Sequence, residues 1–162
     1  MATGAASWTL TLEDEHALVQ ALRRLLHESG ARGALLVDRA GQLLTEAGQR
    51  PAFDPVTFAT LAAADFGAND QLARLLGETD FTMLFHQGQR ESMVLADIAH
   101  RVILVVLFDA STTLGLVRLR IRSAVGELHG IVAVMADRGA QSGTPRPALL
   151  HDADDEIDRL FQ

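Results

Sequence analysis

The chain of 162 residues contains no cysteine. That absence excludes a disulfide framework, a thiolate metal site and a thiol nucleophile together. Basic residues are few as well: 14 Lys and Arg stand against 21 Asp and Glu, for a formal charge of −7 and a pI near 5.2. Phosphate backbones demand a concentrated basic surface, so this balance speaks against a nucleic-acid partner. No basic segment followed by an apolar core opens the sequence, and no apolar run is long enough to cross a bilayer. The expectation is a cytoplasmic protein with no membrane span.

Chemical motifs are also missing. There is no GxxxxGKS/T for nucleotide phosphates and no GxSxG nucleophile elbow. The histidines, His16, His27, His86, His100, His129 and His151, show neither HExxH nor any close paired spacing. His86, beside an apolar stretch, reads as a strand-end hydrogen-bonding residue or as a ligand or base. Asp152, Asp154 and Glu156 alternate like calcium ligands, but the glycine and closing glutamate of an EF-hand loop are absent, which leaves a solvated acidic face. Arg118, Arg120 and Arg122 point in different directions if helical. No catalytic residue, metal site or cofactor is expected. An enzyme or small-molecule sensor finds no ligand constellation here.

What the sequence does contain is a spine. Val102 to Phe108 is an unbroken, β-branched apolar run, the pattern of a strand buried on both faces. Asp109-Ala-Ser-Thr-Thr then offers N-cap side chains. Beyond it Leu114, Val117, Ile121, Ala124, Val125, Leu128, Ile131, Val132 and Met135 recur at helical spacing.

Ahead of this spine, Thr11 caps a first helix with an acidic first turn, the apolar stripe Leu12, Val19, Leu22, Leu25 and Leu26, and a stop at Gly30. Strand 32–38, a turn ending at Gly41 and strand 42–46 form a hairpin. Asp54-Pro55 opens a second helix running to Leu76. Ala59, Ala62, Ala63, Ala64, Gly67 and Ala68 make it rich in small side chains, suited either to close approach by a second copy or to packing on its own sheet. Strands are expected over 81–87 and 91–98, joined around Gly88. The resulting fold is an α/β (α+β) sandwich: a five-stranded antiparallel sheet with helices on both faces, in the order α-β-β-α-β-β-β-α. The domain spans 9–138, followed by a flexible linker at 139–147 and an amphipathic tail at 148–162. In that tail Asp152, Asp154, Asp155, Glu156 and Asp158 surround Ala153, Ile157, Leu160 and Phe161. It is either a peptide that docks in a groove or a frayed terminus.

Four segments carry a family resemblance. RVILVVLFDASTTLGLVRLRIRSA, ALLVDRAGQLLTEAG, LARLLGETDF followed by FHQG, and the tail DADDEIDRLF resemble the bacterial branch of the roadblock/light-chain-seven family. Its members regulate a Ras-like small GTPase of the MglA kind. The likeness runs from about residue 31 to 128 and resumes in the tail. The middle of the second helix, AAADFGANDQLA, is bulkier and more acidic than the family pattern.

The resemblance implies a roadblock fold and a homodimer, with the second helix and the 81–87 strand at the interface: Ala63, Leu72, Phe81, Met83 and Phe85. It implies one GTPase per dimer, held by Leu61, Ala64, Gly67, Ala68 and Gln71, with a second contact through Ile157, Leu160 and Phe161 that is associated with nucleotide exchange. Activation in the family uses no inserted arginine. The GTPase's own catalytic groups are aligned, in a reaction where supplying a missing group is worth about 10³–10⁵ in rate. A non-activating scaffold in a GTPase complex is the alternative. The resemblance also implies a part in gliding motility and cell polarity, with concentration at a cell pole.

Overall fold

A computed structural model describes residues 9–49 and 52–142. It contains α1 (Leu12–Ser29), β1 (Gly33–Asp38), β2 (Leu43–Gly48), α2 (Pro55–Leu75), β3 (Met83–His86), β4 (Ser92–Ile98), β5 (Val102–Phe108) and α3 (Leu114–Ser142). The five strands form one sheet in the order β2-β1-β5-β4-β3, and every neighbouring pair is antiparallel. The element order and antiparallel sheet agree with the expectation. So does the central place of β5, which sits between β1 and β4 and is buried on both faces.

Alternation along the strands sorts the core into two layers. Leu36, Val94, Leu104 and Val106 face α1 and α3, where they meet Leu18, Leu22, Val117, Ile121, Leu128 and Met135. Leu35, Val37, Leu95, Ile103 and Val105 face α2 and meet Ala59, Ala62, Ala63 and Phe66. Two helices therefore cover one face and a single helix covers the other.

Local chemistry places these helices. Thr11 caps α1 through a reciprocal box with Asp14, and Gly30, at φ +70, donates its N–H to Leu26 O at 3.0 Å to end it. Asp14 also ties α1 to α3, accepting from Arg138 at 2.5 and 2.8 Å. That arginine, more than the cap itself, holds the Asp14 carboxyl down at about 2. In the β1–β2 turn the buried Asp38 accepts from the N–H groups of Ala40 and Gln42, both at 2.9 Å. Gly41 is at φ +90, where any side chain is strained, and a Cβ there would lie a tight 3.0 Å from Thr60 Cα where α2 passes over this turn.

Several expectations shift. Leu12 is 86 % exposed and takes no part in the α1 stripe, because it points well away from the inner face formed by Asp14, Leu18, Ala21, Leu22 and Leu25. β3 starts at Met83, two residues later than expected. α3 continues through Ser142, so the first four residues of the expected linker are helical. Gly139 is an isolated helix-weakening residue, and the first proline comes only at position 145.

Candidate functional site

The layer covered by one helix leaves several apolar side chains of that helix exposed. Asp54 opens α2 by accepting from Thr57 Oγ1 (2.6 Å), Thr57 N (3.1 Å) and Val56 N (3.4 Å), and the Thr57 hydroxyl above all lowers its pKa. Pro55 follows at a position where no N–H is needed. From there α2 carries apolar residues on two sides, with Asp65, Asn69, Asp70 and Arg74 between them. Its inner side buries Ala59, Ala62, Ala63, Phe66 and Ala73. Its outer side exposes Val56, Leu61, Leu72 and Leu75, with Leu76 just beyond. An exposed apolar stripe of this kind on a helix marks a candidate contact surface.

The small residues thus divide between the two sides, and the reading as packing on its own sheet holds for part of them. Ala59, Ala62 and Ala63 let the helix settle onto its own sheet. Ala64 and Ala68 are exposed, between Leu61 and Leu72 at spacings of three and four. Of the residues expected to hold a GTPase, Leu61, Ala64, Ala68 and Gln71 are exposed and Gly67 is half-buried. Gly67 and Gln71 border a recess of about 490 Å³ with Asp70, Arg74, Phe81 and His100.

The expected interface residues do not share one face. Leu72 is exposed, whereas Ala63 is buried against its own sheet. Phe81 precedes β3 and packs beneath α2 on Phe66, ring centroids 5.0 Å apart. Met83 and Phe85 turn to the α1/α3 side, Phe85 lying 6.3 Å from the Phe108 ring. What unites Phe81, Met83 and Phe85 is the sheet edge: β3 pairs only with β4, which leaves its other backbone edge free among the described residues.

Behind the recess is a polar assembly that sequence reasoning missed. Arg39 spans from Asp97 to the face of Phe66, 4.9 Å from its centroid. Asp97, with 6 % of its side chain exposed, also accepts from His100 N at 3.0 Å and lies 3.0 Å from His100 Nδ1. His100 and Ala99 both have φ +55, a conformation that non-glycine residues rarely hold, and Arg101 N closes the turn on Ile98 O at 3.1 Å. These contacts link residues 58 positions apart through a tight turn lacking the usual Asn-Gly signal, so nothing local in the chain announces them.

His86 lies exposed on β3, and no group of three or more metal-ligating side chains occurs among the described residues. Arg120 turns to Glu28 (3.7 Å) while Arg118 and Arg122 are exposed elsewhere on α3. Ile157, Leu160 and Phe161 lie outside the described residues, as do Asp152, Asp154 and Glu156. No described helix is long and apolar enough to cross a membrane.

The Roadblock/LC7 domain profile matches residues 18–108, which span α1 through β5. Among solved structures, MglB of Myxococcus xanthus is 40 % identical, with a TM-score of 0.69, and the match covers 72 % of this chain and 95 % of that one. The gliding protein MglB of Thermus thermophilus is 35 % identical (TM-score 0.72), with 78 % and 96 % covered. An MglB solved in a tetrameric arrangement is 34 % identical (TM-score 0.73), with 83 % and 98 % covered.

Proposed function

This chain belongs to the Roadblock/LC7 domain family, and on that premise we propose that it is a homodimeric activator of a Ras-like small GTPase of the MglA kind. The observation that carries the reading is the outer side of α2, an exposed apolar stripe beside the free edge of β3 in a chain that matches MglB structures over most of its length. Pairing β3 with its copy extends the sheet across two protomers and brings the α2 helices together as one platform. Leu72 and the edge residues Phe81, Met83 and Phe85 serve that joint, with Ala63 supporting the helix from beneath. Leu61, Ala64, Gly67, Ala68 and Gln71 hold one GTPase per dimer. Ile157, Leu160 and Phe161 add a second contact that assists nucleotide exchange.

Arg74, the only arginine of α2, is paired with Asp70 at 3.0 Å. In keeping with what the family resemblance implies, activation works by selecting the conformation in which the GTPase's own groups are aligned, and this protein is a regulator without an active site of its own. Its setting is the cytoplasm, at a cell pole, in gliding motility.

The test is single-turnover GTP hydrolysis by the cognate GTPase at rising concentrations of this protein. Acceleration that saturates with dimer concentration supports activation; binding without acceleration selects the scaffold alternative. Gly67→Arg is the matching variant. A Cβ at Gly67 would meet nothing within 4 Å, so the helix has room to start a side chain there, and the expected result is a folded variant with a blocked platform. Unchanged GTPase affinity in that variant removes the platform assignment.

A further inference from the structure

A second apolar stripe is exposed on the opposite side of the molecule. On α3 the inner face is fully engaged by Val117, Ile121, Leu128, Val132 and Met135. Leu116, Leu119 and Val134 nevertheless face outward, 37 %, 54 % and 55 % exposed. At helical spacing they lie on one side with Ser123, Gly126 and Gly130. Neither glycine serves close packing within the protomer, since a Cβ at either would meet nothing within 4 Å.

The charges flanking this stripe are one-sided. α3 carries no carboxylate before Glu127, and its first half holds Arg118, Arg120 and Arg122. Arg120 reaches Glu28 at 3.7 Å and Glu127 binds Arg24, so those two groups are spent on α1. Arg118 and Arg122 are exposed on the other flank and make no ion pair among the described residues.

We propose that this face of α3 is the docking site of the chain's own C-terminal segment, residues 148–162, within the same protomer. The segment is its chemical complement: Ala153, Ile157, Leu160 and Phe161 at helical spacing, flanked by Asp152, Asp154, Asp155, Glu156 and Asp158. Its reach also fits. Arg122 lies about 30 Å back along α3 from Ser142 at 1.5 Å per residue. The ten residues 143–152 span up to about 35 Å when extended. An antiparallel return thus brings the acidic segment beside Arg122 and Arg118, with its apolar side on Leu119 and Leu116. Tethering supplies an effective concentration of about millimolar, enough for a short helix that is unstable alone. A partner that takes the segment must first displace it from α3.

The experiment uses the full-length protein without any GTPase, so its outcome is independent of the activator reading. Because the chain has no cysteine, Ser123→Cys paired with Ala153→Cys reports the contact under mild oxidation; Ala68→Cys on α2 paired with Ala153→Cys is the control. The expected result is an intrachain disulfide forming about tenfold faster in the first pair. Adding Arg118→Glu and Arg122→Glu slows it roughly fivefold, as loss of two surface ion pairs should. Amide exchange over 152–161 provides a register-independent check: protection in the parent chain, lost in the double arginine variant. Equal rates in both disulfide pairs, a link only between chains, or exchange that ignores the arginines overturns the proposal.

Discussion

The two faces of the sheet are built to different standards. Against α1 and α3 the core is continuous, with Leu18, Leu22, Leu104, Ile121, Leu128 and Met135 fully buried. A salt bridge from Asp14 to Arg138 and a hydrogen bond from Thr112 Oγ1 to Ser29 O (2.6 Å) lock those helices together. Against α2 the helix side chains are mostly alanine, and Leu61, Leu72 and Leu75 point outward. The closed face stabilises the protomer by itself. The open face is stabilised only as far as its inner side reaches, and its remaining apolar area is placed where another chain can cover it.

The largest effect that separates the faces is a cavity on the closed one. Leu104→Ala, at a fully buried β5 site between α1 and α3, is expected to cost about 2–5 kcal/mol in urea unfolding, because that interior is held rigidly on three sides. A loss under 1 kcal/mol would mean that the closed face is as loosely built as the open one.

Next is the clamp between the two helices of the closed face. Asp14→Asn removes charge-assisted hydrogen bonds to Arg138 and should cost about 1–3 kcal/mol at neutral pH. The pH dependence has a definite sign. The Asp14 pKa is lowered in the folded protein from 3.8 to about 2, so its contribution is complete above the unfolded value and is lost as pH falls through the folded one. Parent and Asp14→Asn stabilities should converge between pH 3.8 and about 2. A constant difference across that window would show that the clamp is packing rather than charge.

This division was only partly legible in the chain. Periodicity was enough for α3, whose nine expected core positions all lie in or against the closed-face cluster, and for β5, whose ends agree to the residue. It was not enough for α2. A helix that is apolar on two sides has no preferred face in sequence, so Ala63 and Ala64 look alike although one is buried and the other exposed. Leu12 misled for a different reason: it is in helical spacing with Val19 and Leu26, but the buried face runs instead through Asp14, Leu18, Ala21, Leu22 and Leu25. The Asp14–Arg138 clamp and the Arg39–Asp97–His100 assembly join residues distant in the chain, and neither has a spacing that could reveal it. The family resemblance supplied what periodicity lacked, the idea that the outer side of α2 is itself a surface for partners.

The smallest expected change in stability is the most telling about that surface. Leu61→Lys places a charge on the outer side of α2, where Leu61 is 63 % exposed and outside both core clusters. Its own helix should barely respond, because lysine and leucine have similar helix propensity. The expected cost to unfolding is within about 0.5 kcal/mol, the ordinary range for a surface substitution. Calorimetry at low and high protein concentration checks this against a second possibility. If Leu61 were covered when two copies associate, the loss would grow with concentration, because only the parent would gain from assembly. A small, concentration-independent effect keeps Leu61 free in the proposed dimer and available to a different chain. A large one would move it from the partner-facing set to the joint between protomers, and the platform would then have to be drawn around Ala64, Ala68 and Gln71 instead.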